Sequence, residues 1–283
     1  MLTPQDLSAM SVANLTIGRI DPVRFVEEAA AAGFGRVGLL LASATPSPLE
    51  HEVVGRPEVI RAVRAALRQT GTTVFDVEAF ILSPQADRER FRRILAAGAE
   101  LGATHLSSIG APVAHSPALS AAQRLDLLGA LCDDAGELGL HVGVEFMVYR
   151  DIRSAAEALA LVEATGRPNA GLILDALHIA RAGTTVADVA RLPAERIAYA
   201  QLCDARAATP TLDALPTEAR GDRLHPGDGV LPLADFVATL PAGTPLAIET
   251  PVAAEADWTT QARLNEAARR TLAFMRTLGH PAP

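Results

Sequence analysis

H-V-G-V-E-F at residues 141–146 is a short apolar run that delivers an acid at its end. Three later runs repeat the device: A-G-L-I-L-D at 170–175, I-A-Y-A-Q-L-C at 197–203 and P-L-A-I-E at 245–249. Side chains along a strand alternate faces. Glu145 therefore shares a face with Gly143 and His141, opposite Val142 and Val144. Asp175 lies with Ile173 and Gly171, opposite Leu172 and Leu174, and Glu249 lies with Ala247, opposite Leu246 and Ile248. In each run the aliphatic face suits packing on helices and the acid-bearing face suits a barrel interior. One acid ending a strand merely begins a solvated loop. Three carboxylates and the Gln201 carboxamide, each from a separate strand–helix unit, point to oxygen groups converging on a divalent cation.

Outward from these runs, short apolar segments and longer amphipathic ones alternate along the chain. A first strand falls within Leu7–Leu15, and Asp21-Pro22 opens a helix that ends near Gly33, with Asp as cap and Pro at the first helical position. Arg36–Leu41 is a second strand, with its helix at Pro57–Thr70 closed by Gly71. Thr72–Phe80 and His105–Ser108 are the third and fourth strands, followed by helices at Asp87–Leu101 and Ser120–Leu138. Further helices fall near Ile152–Thr165, Val186–Leu192, Leu233–Leu240 and Thr259–Leu278. Eight strands and eight helices in strict alternation predict an α/β protein, a single (β/α)8 TIM barrel over residues 1–283. An open doubly wound sheet is the alternative, but its glycine-rich phosphate turn does not follow the first strand. The longest irregular stretch, Ala205–Gly229, follows strand seven and reads as a lid or substrate loop.

The composition fits this architecture. Aromatics are only 4 % of the chain against 49 % hydrophobic residues, so the core must be built from Ala, Leu, Val and Ile. A net charge of −8 with no basic patch argues against nucleic acid or an anionic membrane as partner. A local Arg could still bind a small anion. No run of about twenty apolar residues is present. The opening M-L-T-P-Q-D lacks the basic and apolar regions of a signal peptide. Cys132 and Cys203 have no metal-type spacing, which leads us to expect a reducing, cytoplasmic setting.

V-G-V-E-F around Glu145, P-N-A-G-L-I-L-D-A-L-H at 168–178, A-Q-L-C-D at 200–204, R-L-H-P-G-D-G at 223–229 and A-I-E at 247–249 together resemble the xylose-isomerase-like TIM barrels. That superfamily includes sugar and sugar-phosphate isomerases and epimerases, hydroxypyruvate isomerase, inosose dehydratase and 3-dehydroshikimate dehydratase. The likeness is specific in the second half of the chain and general in the first. It implies metal ligands at Glu145, Asp175, Gln201 and Glu249, with His178 contacting substrate or metal-bound water and Arg223 binding substrate. Many of the family's epimerases carry His where this chain has Gln201. Hydroxypyruvate isomerase and the dehydroshikimate dehydratases resemble this chain in using Gln there.

An all-oxygen ligand set favours Mn²⁺, with Mg²⁺ and Co²⁺ as alternatives, over Zn²⁺. Such a cation polarises a substrate carbonyl and stabilises an enediolate, while Glu145 and Glu249 are placed to move the proton. The expected function is thus a metal-dependent isomerase or epimerase of a small hydroxy-carbonyl, keto-sugar-like compound. The alternative is a dehydratase of the inosose or 3-dehydroshikimate type, which forms the same enediolate and then expels water. His178, three residues beyond Asp175, and Arg223 join the substrate-binding candidates. Glu78 and His225 are weaker ones: Glu78 shares a face with Asp76, and turn-forming roles suffice for Asp204 and Asp228. The Ala- and Leu-rich helices would permit a homodimer.

Overall fold

The computed structural model describes residues 7–43, 49–113 and 118–279. M-L-T-P-Q-D, on which the reading of the amino terminus rests, lies outside them. The strands are β1 (Ser11–Val12), β2 (Arg36–Leu40), β3 (Thr73–Leu82), β4 (His105–Gly110), β5 (His141–Glu145), β6 (Ala170–Asp175), β7 (Ile197–Leu202) and β8 (Leu246–Ile248). Each pairs in parallel with the next, and β8 pairs with β1, closing the barrel.

Helices fill the connections: α1 (Pro22–Ala31), α2 (Pro57–Thr70), α3 (Arg88–Glu100), α4 (Ala121–Gly136), α5 (Ala155–Thr165), α6 (Ala176–Arg181), α7 (Val186–Val189), α8 (Leu215–Gly221), α9 (Leu233–Thr239) and α10 (Thr260–Leu278). Local chemistry sets their ends. Asp21 accepts hydrogen bonds from the Val23 and Arg24 amides, satisfying donors that the first turn of α1 leaves free. Gly71 ends α2 at φ 74°, a left-handed conformation that costs glycine nothing. Ser120 and Gln123 form a reciprocal capping box on α4.

Two helices depart from simple alternation. α6 starts directly at Asp175, with no loop between strand and helix. α8 occupies part of the stretch expected to be an irregular loop, with Pro216 in its first turn. Its Glu218 pairs with Arg181 of α6 at 2.6 Å, both side chains buried. The 205–229 segment is further anchored by Asp204, whose carboxylate accepts from the amides of Ala205, Gly227 and Leu231. Ala205–Gly229, expected to be irregular throughout, is therefore pinned and partly helical.

The core has two layers. Val142, Val144, Leu172, Leu174, Ala200, Leu202, Leu246 and Ile248 belong to the main core that extends into the helices. A separate small cluster of Phe75, Ile173, Tyr199 and Ala247 fills the barrel interior. The strand faces thus divide as their alternation requires. Burying each large aliphatic side chain contributes roughly 1.5–3 kcal/mol, so a one-residue slip that exchanged the faces would be heavily penalised. Gly38 makes room for acids inside the barrel: a Cβ there would lie 2.5 Å from Asp76 Oδ1 and 2.9 Å from Glu78 Oε1. Among the described residues no helix is long and apolar enough to cross a membrane.

Candidate metal centre and active site

Glu145 ends β5, Asp175 ends β6, Gln201 lies near the end of β7 and Glu249 follows β8. Register aligns them across the mouth. Glu145 sits opposite Ile173, two residues before Asp175; Asp175 sits opposite Gln201; Gln201 sits opposite Ala247, two residues before Glu249. Steps of zero or two keep all four on the inward face. None is more than 6 % exposed.

Arg223 ties two of the acids together. Its Nη1 donates to Asp175 Oδ2 at 2.6 Å, and its Nη2 pairs with Glu249 Oε2 at 2.7 Å. Its Nε donates to the Ala219 carbonyl on α8 at 2.7 Å, and Nη1 also meets Cys203 Sγ at 3.4 Å. Of the five guanidinium N–H groups, these contacts leave one for a ligand. Asp175 is held on its other side too, because Oδ1 accepts from the Leu177 and His178 amides at the start of α6. That cap aims His178 back at the site, with Nε2 3.6 Å from Glu145 Oε1.

Unpaired polar atoms gathered at one cavity make this place the candidate site. Glu145 Oε1, Gln201 Oε1, His178 Nε2 and Glu78 Oε1 are buried without hydrogen-bond partners. Buried polar groups are seldom left so. All four residues line one cavity of about 410 Å³ at the carboxyl end of the barrel. Glu145, Asp175 and His178 each offer a ligand atom within 4.8 Å of the others. These three residues could therefore hold a metal cation, and Gln201 Oε1 and the Glu249 carboxylate line the same cavity.

Electrostatics point the same way. Burial, then repulsion from Glu249 and Asp175, pushes Glu145 well above the usual carboxylate range. Burial likewise raises Glu249 to about 7 against the opposing pull of Arg223. Glu78 is raised by burial and by Asp76, Glu249 and Glu145. Burial would also raise Asp175, but Arg223 and His178 outweigh it and hold this acid low. His178 is pushed down to about 4 by burial, so its imidazole is neutral at pH 7 and Nε2 can act as a ligand or acceptor. Acids crowded in this way are relieved by a dication.

The structure brings Glu78, Glu145, His178, Gln201, Arg223 and Glu249 to one cavity; Asp175 does not line it but pairs with Arg223 at 2.6 Å. Asp76 stays within the barrel, accepting from the Tyr199 hydroxyl at 3.1 Å. His225 lies apart: it is buried, but its Nε2 meets Glu255 Oε1 at 2.7 Å and it does not line the cavity. An acid from the turn after β8 thus engages Nε2, while Nδ1 is buried without a hydrogen-bond partner. Sequence reasoning missed Tyr149, Arg150 and Arg220, which line the same cavity. The Y-R pair four and five residues beyond Glu145 was the available signal, since loops after barrel strands border the site.

The sequence profile of the xylose isomerase-like TIM barrel family matches residues 26–278. A 3-dehydroshikimate dehydratase of Pseudomonas aeruginosa is 33 % identical over 147 residues, which is 50 % of this chain and 22 % of that longer protein. Among solved structures, the IOLI protein with a bound zinc atom superposes with a TM-score of 0.78 at 14 % identity, covering 95 % of this chain and 98 % of its own. A D-psicose 3-epimerase in the presence of D-fructose gives 0.70 at 16 % identity, covering 95 % and 98 %. At such identities the structures speak to the fold alone, whereas the profile spans most of the chain. This chain belongs to the xylose isomerase-like TIM barrel family.

Proposed function

We propose that the protein is a divalent-metal-dependent isomerase or epimerase acting on a small hydroxy-carbonyl compound of keto-sugar type. The observation that carries this reading is the set of unpaired, buried atoms, Glu145 Oε1, Gln201 Oε1 and His178 Nε2, facing one cavity. Glu145, Asp175, Gln201 and Glu249 would hold the cation, with His178 beside Glu145. Mn²⁺ suits the oxygen donors, with Mg²⁺ and Co²⁺ next; the His178 nitrogen and the likeness to a zinc-bearing barrel bring Zn²⁺ in as competitor. A bound dication supplies Lewis-acid stabilisation of the charge that gathers on the substrate oxygen when the neighbouring C–H loses its proton.

The chain's own residues do the rest. Glu145, raised well above the usual carboxylate range, and Glu249, raised to about 7, are suited to take and return a proton at a carboxylate oxygen. Neutral His178 accepts or donates a hydrogen bond at Nε2. Arg223 fixes Asp175 and Glu249 in place and keeps one N–H for a substrate oxygen. Leu15, Leu40, Ile81, Ile109 and Met147 wall the cavity and exclude water from the reacting carbon.

Incubation of Mn²⁺-loaded protein with ketoses in D₂O tests this reading: deuterium should enter the carbon beside the carbonyl without loss of water. Absence of exchange across keto-sugars, inosose, hydroxypyruvate and 3-dehydroshikimate would sink it. The dehydratase relative favours a second reading, in which the same proton removal precedes expulsion of a β-hydroxyl. Growth of a conjugated-enone absorbance, or of an aromatic product from 3-dehydroshikimate, would select that reading.

A further inference from the structure

Arg150 is a buried cation without an anion. It is 5 % exposed, and among the described residues no carboxylate lies within ion-pairing distance. Its Nε has no hydrogen-bond partner, and its Nη1 reaches only the Gly110 carbonyl at 3.3 Å. The neighbouring Asp151 is engaged elsewhere, by Arg124 at 2.6 Å. A guanidinium removed from water normally brings its counter-charge with it, because desolvation is otherwise uncompensated. Arg150 nonetheless lines the cavity beside Tyr149, its Cζ 6.0 Å from that ring. Arg220, exposed near the end of α8, lines the same cavity. α8 is held there by Arg181–Glu218 and by the bond from Arg223 to Ala219.

From this geometry we propose that Arg150 and Arg220 form an anion-binding subsite, and that the substrate is a hydroxy-carbonyl compound carrying a carboxylate or phosphate. The choice of substrate rests on the proposed function, whereas the anion subsite stands on the two arginines alone. Burial and the like charge of Arg220 also draw Arg150 below the ordinary guanidinium range, a penalty that an anion would relieve. Two planar donor forks match the paired oxygens of such a group.

Calorimetric titration of the Mn²⁺-loaded protein tests this with two probe pairs, quinate against its uncharged amide and glycerol 3-phosphate against glycerol. Wild type should bind at least one anion about tenfold or more tightly than its neutral partner. The pair with the larger gap identifies carboxylate or phosphate. R150Q and R220Q should each narrow that gap by about threefold to tenfold, leaving the neutral probe's affinity and the Mn²⁺ content unchanged; R150K should keep part of it. Should R150Q fail to fold, the exposed R220Q still decides. Equal affinity within both pairs in wild type would overturn the inference. So would a gap that survives intact in R150Q and R220Q, since the anion would then sit on the metal. Deuterium exchange on neutral ketoses with no anion preference would defeat this inference while sparing the proposed function. An arginine-dependent anion preference without metal binding or exchange would do the reverse.

Discussion

Replacing Arg223 with Met removes the counter-charge of two buried acids while keeping most of the side-chain volume. Arg223 is 1 % exposed and sits 2.6 Å from Asp175 and 2.7 Å from Glu249. Removing one partner of a buried ion pair costs about 3–5 kcal/mol, because the remaining charges stay desolvated. The lost bond to the Ala219 carbonyl also frees one anchor of α8. For a chain of this size about 2–3 °C accompanies each kcal/mol, so the metal-free variant should melt about 6–15 °C below wild type. Mn²⁺ can replace the missing positive charge, and at one hundred times its dissociation constant it contributes about 2.7 kcal/mol. Thermal melts with chelator and with saturating Mn²⁺ measure both quantities. The metal-induced rise in Tm should be larger in Arg223→Met than in wild type. Arg223→Lys should recover only part of the loss, because one ammonium cannot reproduce the fork that reaches both acids. A loss below about 2 °C, together with an unchanged metal response, would refute the idea that Arg223 organises the site.

Gln201→His should retain metal binding and shift preference from Mn²⁺ toward Zn²⁺ and Co²⁺; competition titrations that show equal relative affinities would remove Gln201 from the ligand set. Gly38→Ala places a Cβ 2.5 Å from Asp76 Oδ1 and should destabilise by about 1–3 kcal/mol, measured by urea unfolding. Asp134 is held down to about 2, from an ordinary 3.8, by Arg88 and Arg92 on the neighbouring helix. A depressed carboxylate contributes stability above its unfolded pKa and loses it as pH falls through the folded value. Asp134→Asn should therefore cost about 1 kcal/mol at pH 7, discounted for the half-exposed arginines, and flatten the stability profile between pH 4 and 2.

The barrel was legible because period-two alternation is a local property. Ile173 and Ala247 share faces with Asp175 and Glu249, and both fill the barrel interior, while their aliphatic neighbours join the outer core. The convergence of Glu145, Asp175, Gln201 and Glu249 followed from the same rule. What stayed hidden depends on distant partners. Arg223 lies 48 residues from Asp175, and nothing in R-L-H-P-G-D-G reveals that its guanidinium is engaged by two acids. His225, in the same motif, is drawn instead to Glu255. α8 spans seven residues and carries a proline, so its pattern is too short to register as helix. Arg150 reads as a solvated loop cation until burial shows otherwise.

Anomalous diffraction from crystals grown with Mn²⁺ would locate the divalent cation proposed to sit among Glu145, Asp175, Gln201 and Glu249. One strong peak per chain is expected within bonding distance of those four side chains, lost in Glu145→Gln crystals. Ordered side chains with no peak between them, or a peak held elsewhere, would contradict it.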